Sequence, residues 1–312
     1  MNGKPRVAVV MGGPSLEREV SMETGYAVMR ALQSLDYECK SLDFDDRFVE
    51  SIRKIAPDVV FNALHGTGGE DGQIQAILDY LHLPYTGSGM EACALAMDKH
   101  LTKKLLAAEC LPTAAWDVFD LTGGTLPLLP GSLDLPLVVK PRNEGSAVGV
   151  SIVRNHEGWT QTMIAISENY SEILAEEYLP GREFTCAVLG TDALPIVEII
   201  PNKDEFYTYE AKYASGGSTH IVPAKIDEDL AARMQMLALS VHRLIGLRDY
   251  SRTDFIVTKE GRPYILEINT LPGLTATSLF PDACNAAGIP FEALIDRLVG
   301  FAMGRTNGRV LA

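Results

Sequence analysis

Asp254 opens the stretch DFIVTKEGRPYILEIN (254–269), and Glu267 and Asn269 close it. Between these oxygen-bearing side chains lie two apolar runs around Glu260-Gly261. The runs are rich in β-formers, and a Glu-Gly pair is the short punctuation expected between antiparallel strands. With Glu260 and Gly261 as a two-residue loop, Lys259 pairs with Arg262, Asp254 faces Glu267, and Arg252 faces Asn269. Side chains two apart share one face of a strand, so Asp254, Glu267 and Asn269 converge on one side. Two carboxylates opposed across a ladder repel, and burial raises at least one pKa unless a cation sits between them. Ligands that are all oxygen suit a hard cation such as magnesium better than zinc. The same spacing also fits a solvated hairpin edge with chance acids, so the hairpin does not decide by itself.

Other chemistry-bearing residues stand at the ends of apolar runs. In VVKPRNEGSAVGVS (138–151), Lys140 ends a buried strand and a small flexible loop follows, containing Gly145, Ser146, Ala147 and Gly149. Backbone N–H groups of such a loop can cradle phosphate oxygens. Neither G-x-x-x-x-G-K-[ST] nor G-x-G-x-x-G is present, and an ordinary hairpin with a capping lysine explains the loop taken alone. Its company with a candidate magnesium hairpin favours nucleotide binding. In EILAEEYLPGREF (172–184), Glu176 and Glu183 could accept from an adenine amino group or a ribose hydroxyl, or could be plain surface acids. His65, in ALHGTGGEDG, ends a buried strand where open α/β sheets gather ligands, or is hydrogen-bonded in place. Glu17, in GGPSLEREVS, stands at a helix start, where helix capping competes with substrate binding.

The elements that must carry these residues follow from periodicity. RVAVVMGG (6–13) reads as a buried parallel strand, and the next helix carries Val28, Met29, Leu32 and Leu35 at helical spacing. Asp58 to His65 is a second buried strand, followed by a Gly-rich turn and a helix with Ile74, Ile77, Leu78 and Leu81. An open α/β sheet is expected up to about Gly89. A helix over about 91–109 and a Pro/Gly-rich connection (121–136) lead into a second region. There strands at 137–140, 149–153, 172–178, 184–189 and 196–200 imply α+β, mostly antiparallel structure. FYTYEAKYASGGSTH (206–220) lacks periodicity and is expected to be a mobile loop.

Composition removes several function classes. The 312 residues are 46% hydrophobic and 22% charged, enough for two or three domains. A net charge of -14 argues against a broad basic surface for nucleic acid, while local phosphate pockets remain open to it. Cys39, Cys93, Cys110, Cys186 and Cys284 are odd in number and never spaced C-x-x-C, so neither a disulfide framework nor a zinc site is indicated, and a reducing cytoplasm fits. The apolar run Val7–Met11 is too short for a signal-peptide core, and no stretch could span a membrane.

Taken in order, GGPSLEREVS, ALHGTGGEDG, YTGSG, MDKHLTK, VVKPRNEGSAVGVS, EEYLPGREFT, YEAKY, RTDF and EINTLPGLTATSL resemble the ATP-grasp enzymes and, within them, the D-alanine:D-alanine ligases. The resemblance runs over about residues 6 to 280. Ala147 stands where many relatives have a second serine, and Leu271 where many have Ser before Pro272-Gly273; a loop position that donates through its backbone tolerates Ala147. The resemblance implies an α/β and α+β architecture in the ATP-grasp fold. An open parallel α/β substrate domain (1–95) would precede a central (96–183) and a C-terminal (184–312) subdomain that clamp ATP.

By the same resemblance, two D-alanine molecules are ligated through a D-alanyl phosphate, releasing ADP and phosphate, for peptidoglycan precursor synthesis. Asp254, Glu267 and Asn269 would hold two magnesium (or manganese) ions, and the family leaves room for a monovalent cation. Lys99 and Lys140 would bind phosphates under the Ser146 loop, with Glu176 and Glu183 at adenine and ribose. Glu17 would meet the first substrate's ammonium, with His65 nearby. Arg252 and the Gly273 N–H would stabilise an oxyanion, and Lys212 and Ser278 would hold the second carboxylate. The Tyr213 hydroxyl would join Glu17 and Ser146 in a chain that ties the 206–220 lid down. A cytoplasmic homodimer is expected, with ATP and D-alanine as partners, no nucleic acid and no membrane. Two rivals are a D-alanine:D-lactate ligase, which the Tyr213 loop argues against, and a non-catalytic nucleotide binder. The intact set Lys99, Lys140, Arg252, Asp254, Glu267 and Asn269 argues against the second.

Overall fold

The computed structural model describes residues 3–123, 126–202, 217–275 and 278–305. Strand β1 (Val7–Met11) is buried along its whole length, and helix α1 (Arg18–Ser34) follows it. β2 (Cys39–Asp43), α2 (Phe48–Ile55), β3 (Val59–Asn62) and α3 (Gln73–Tyr80) complete a parallel sheet of order β2-β1-β3. Alternation along β1 divides its side chains between two cores: Ala8 and Val10 pack with Phe48, Ile52, Ile74 and Leu78, while Val7, Val9 and Met11 face Val28 and Leu32.

The helix expected over 91–109 is two helices, α4 (Met90–Met97) and α5 (Lys99–Ala108). The break is at Asp98, whose backbone is extended (ψ 97°) and whose carboxylate accepts from the N–H groups of His100 (3.0 Å) and Leu101 (3.1 Å). Apolar spacing runs through the break because a single N-cap residue interrupts it.

β4 (Trp116–Asp120), β5 (Leu137–Pro141), β6 (Ser151–Val153) and β7 (Glu172–Glu177) form an antiparallel sheet of order β4-β7-β5-β6. Helix α6 (His156–Ser167) covers it through Trp159, Met163 and Ile166. β6 begins at Ser151 rather than at Gly149, because Gly149 has φ +72° and cannot continue a strand.

A second antiparallel sheet takes the order β11-β10-β8-β12-β13. It is built from β8 (Gly181–Leu189), β9 (Asp192–Ala193, on β8), β10 (Val197–Pro201), β11 (Ser218–Ile221), β12 (Tyr250–Thr258) and β13 (Pro263–Asn269). Helix α7 (Glu228–Leu244) packs Met234, Ala238 and Val241 against Phe184, Val188 and Phe255. Most of the loop expected at 206–220 lies outside the described residues; its last three, 218–220, belong to β11, held by pairing with β10. Helices α8 (Leu279–Ala286) and α9 (Phe291–Gly304) close the chain, and α9 returns to the first sheet, where Leu294, Ile295, Leu298 and Val299 join the core of Val7, Val9 and Met11. Among the described residues no helix is long and apolar enough to cross a membrane.

Candidate active site

A cleft of about 920 Å³ opens between the two antiparallel sheets. Val138, Val150, Ile152, Leu179, Ile256 and Leu266 give it apolar walls of the kind a flat heterocycle needs, and Lys99, Lys140, Glu176, Glu183, Asp254 and Glu267 supply its charges.

Lys140 and Glu176 lie diagonally across the β5–β7 ladder, since Glu176 opposes Val138, and the long lysine reaches the carboxylate's Oε1. Lys103 of α5 stands 2.9 Å from Oε2 and also donates to Thr113 Oγ1 (2.7 Å) and the Ala114 carbonyl (3.0 Å). Burial pushes Glu176 up, but the two ammonium groups outweigh it and hold the carboxyl at about 2. Glu176 therefore lines the pocket expected for adenine and ribose while it anchors two lysines. Lys99 is the first residue of α5; its ammonium donates to the Glu144 carbonyl, and burial, opposed by the Glu267 charge, brings it down to about 8.

The 254–269 hairpin gives the expected pairing by a different route. Thr258 and Arg262 close the turn, and Gly261 takes φ +74° as the last of three loop residues. Near the turn every partner is thus one residue off the expected register, Ile256 facing Tyr264. A β-bulge at Leu266 then restores it, and Asp254 faces Glu267 as Arg252 faces Asn269. One of the two opposed acids, Asp254, is answered by Arg252, whose Nε and Nη2 donate to Asp254 Oδ1 and Oδ2 at 2.8 and 2.7 Å. Thr185 (2.6 Å) and Asn269 (3.0 Å) complete the contacts to Asp254.

A second pocket, of about 630 Å³, adjoins the first through Gly145, which lines both. Glu17, His65, Ser146, Arg252, Gly273 and Ser278 all line it, as does Asn269. Glu17 stands at the N-cap position of α1 without capping it; its carboxylate accepts from Ser146 Oγ instead. The Glu17 side chain thus lines the pocket and does not cap the helix. Ser146 (φ +51°) and Ala147 (φ +58°) are both left-handed, an unfavourable conformation for side-chain-bearing residues, in the loop that meets Glu17 at the start of α1. A side chain at Gly66 (φ +68°) would be strained and would displace its neighbours, since a Cβ would stand 2.4 Å from Ser15 Oγ and 2.6 Å from Glu17 Oε2. Gly273 is similarly constrained, with Ser278 Oγ 2.8 Å from where its Cβ would be.

Glu70 and Lys103 are two charged residues that sequence reasoning missed. Glu70 lies 3.5 Å from His65 Nδ1 and accepts from the Gly66 N–H, while His65 Nε2 meets Thr24 Oγ1 at 2.9 Å. Burial pushes Glu70 above the usual carboxylate range, and Glu17 adds to that. Its place in HGTGGEDG, five residues after His65, was the available signal; for Lys103 the signal was its position one turn after Lys99. Lys212 and Tyr213 lie outside the described residues.

Residues 45–88 match the family described as D-ala D-ala ligase N-terminus, and residues 105–300 the D-ala D-ala ligase C-terminus. A D-alanine--D-alanine ligase of Synechococcus sp. (strain JA-2-3B'a(2-13)) is 43% identical over 308 residues, covering 96% of this chain and 94% of the relative. D-alanine--D-alanine ligase B of Brucella suis biovar 1 is 45% identical, with 96% and 98% covered. The crystal structure of D-alanine--D-alanine ligase from Bacillus anthracis complexed with ATP superposes with a TM-score of 0.85 at 31% identity, covering 97% of this chain and 99% of that one.

Proposed function

The chain belongs to the D-alanine--D-alanine ligase family, and we infer from that membership and from its two joined pockets that it condenses two D-alanine molecules to D-alanyl-D-alanine at the expense of ATP. The observation that carries the reading is the shared wall at Gly145, with lysines on one side and Glu17, His65 and Arg252 on the other. It supports nucleotide in the first pocket and amino acid in the second.

A carboxylate is a poor acyl donor, so the γ-phosphoryl group passes first to the carboxylate oxygen of one D-alanine, and ADP leaves. The neutral amine of the second D-alanine attacks the acyl carbon. The C–O bond to phosphate then breaks, and the amine gives up a proton. No side-chain nucleophile is needed, so orientation and electrostatics supply the rate. Lys99 and Lys140 offset the phosphate charge, and Glu17 holds the first ammonium beside the His65–Glu70 pair. Arg252 and the Gly273 N–H face the oxyanion, and Ser278 takes the second carboxylate. Lys212 and Tyr213, outside the described residues, are assigned to that carboxylate and to the Ser146–Glu17 chain by the family resemblance alone.

Asp254, Glu267 and Asn269 fit two magnesium or manganese ions by donor chemistry. All three offer oxygen, and Asn269, donating through Nδ2 to Asp254, keeps its Oδ1 for a cation. Among the described residues no three His, Cys, Asp or Glu side chains gather as a metal cage. When bound, such ions neutralise charge on the transferring phosphate. The same reading includes a cytoplasmic homodimer and subdomain limits near residues 95 and 183.

Incubation with ATP, magnesium and equal D-alanine and D-lactate near neutral pH tests it. D-Alanine-dependent phosphate release and a product of almost only D-alanyl-D-alanine by mass spectrometry are expected. A dominant depsipeptide would overturn the acceptor assignment.

A further inference from the structure

Arg142 follows β5 and takes no part in the roles given above, yet its guanidinium is among the most fully engaged near the first pocket. Its Nε lies 2.9 and 3.1 Å from the two oxygens of Asp98, and its Nη2 lies 2.5 Å from Oδ2. Its Nη1 donates to Glu172 on β7 at 2.9 Å. The backbone carries the same link, since the Lys99 N–H donates to the Arg142 carbonyl at 3.2 Å. Asp98 is the N-cap of α5, so its carboxylate serves the helix end and the guanidinium together.

These contacts have a geometric consequence for the two phosphate-facing lysines. Lys140 stands on β5, two residues before Arg142. Lys99 stands on α5, directly after Asp98. The fork between Asp98 and Arg142 therefore refers both lysines to one strand. One helical turn beyond Lys99, Lys103 is held by Glu176, the same carboxylate that holds Lys140. Two attachments one turn apart set both the depth of α5 and its rotation about its own axis. A long lysine side chain has many rotamers, so where its backbone begins decides where its ammonium can rest.

We propose that Arg142 and Asp98 are positioning residues that hold Lys99 at its working separation from Lys140, so that the pair grips a polyphosphate before chemistry begins. The proposal rests on the nucleotide reading of the first pocket. It separates from helix capping because asparagine caps a helix as well as aspartate does, while it gives up the charge that binds Arg142.

The test uses the full chain with Arg142→Ala, Arg142→Lys, Asp98→Asn and the Asp98→Asn/Arg142→Ala double variant. Calorimetric affinity for magnesium-ATP, KM for each substrate and Tm are measured. Arg142→Ala and Asp98→Asn should each weaken ATP binding about tenfold, the scale of one charge-assisted contact, with KM for D-alanine within about twofold. Arg142→Lys should fall between, since it returns the charge without the fork. The double variant should be no worse than the weaker single one, because both remove one contact. Unchanged ATP affinity in Arg142→Ala, an additive double variant, or ATP and D-alanine parameters falling together with Tm would overturn the proposal. Absence of ATP binding in the unaltered protein would overturn the nucleotide reading and this proposal with it.

Discussion

Burial brings Lys99 in the first pocket down to about 8 and raises Glu70 in the second above the ordinary carboxylate range, so the two pockets lean toward losing charges of opposite sign. Each lean is the one that a suitable ligand would correct. On the proposed reading, polyphosphate would return counter-charge to Lys99, and a substrate ammonium would return it to Glu70. Glu176 marks the contrast within the first pocket. Flanked by Lys103 and Lys140, it is held ionised at about 2 and so anchors what the ligand meets. Groups that carry their own counter-charge build the site, and groups that lack enough of it select the ligand.

The division can be broken most completely at the hairpin. Glu267→Ala should abolish ligation in a protein that stays folded, because Glu267 lines the nucleotide pocket opposite Asp254 and is the acid proposed to touch both metal ions. Calorimetric magnesium-ATP binding as tight as wild type would sink that assignment. Arg252→Ala should lower kcat by about 10²–10³, the usual scale for losing one oxyanion donor, and should leave ATP affinity less affected. Steady-state kinetics beside ATP calorimetry separates the two effects.

Two milder changes sharpen the comparison. Gly66→Ala must strain a left-handed backbone and push Glu17 aside, so KM for D-alanine should rise about tenfold while ATP affinity holds. Equal losses for both ligands would show that the pockets are not independent. The smallest effect is on pH dependence. Below about pH 8 the Lys99 ammonium is intact in the free protein, and above it the charge is increasingly lost. Binding polyphosphate favours the charged form, so ATP affinity should fall severalfold from pH 7 to 9, with proton uptake near pH 8. The nucleotide's last phosphate ionisation, near pH 6, is complete over that range. Calorimetry in buffers of different ionisation enthalpy measures the proton, and Lys99→Arg should remove it.

The residues that line the two pockets were readable because they stand where strands, helices and glycine-rich loops meet, so that type and position are both visible. Their division between two pockets was not readable, since it depends on how three sheets pack. The hairpin shows the limit sharply. A two-residue loop predicts the pairing of Asp254 with Glu267, and a three-residue loop with a compensating bulge produces it. Local turn rules cannot see that bulge. The break between α4 and α5 escaped the apolar pattern for a related reason: Asp98 is claimed by Arg142, a residue 44 positions away. Lys103 and Glu70 likewise take their meaning from partners that sequence spacing does not reveal.

Helix α9 carries a consequence for how the chain is made. Its Leu294, Ile295, Leu298 and Val299 share a core with Val7, Val9 and Met11, so one of the first strands translated is covered in part by one of the last helices. During synthesis α2 and α3 can seal one face of the first sheet soon after they emerge, while the other waits for nearly the whole polypeptide to leave the ribosome. The first sheet is thus finished late despite being encoded early, and a ribosome that stalls before Phe291 would present an incomplete apolar face to the chaperones around it.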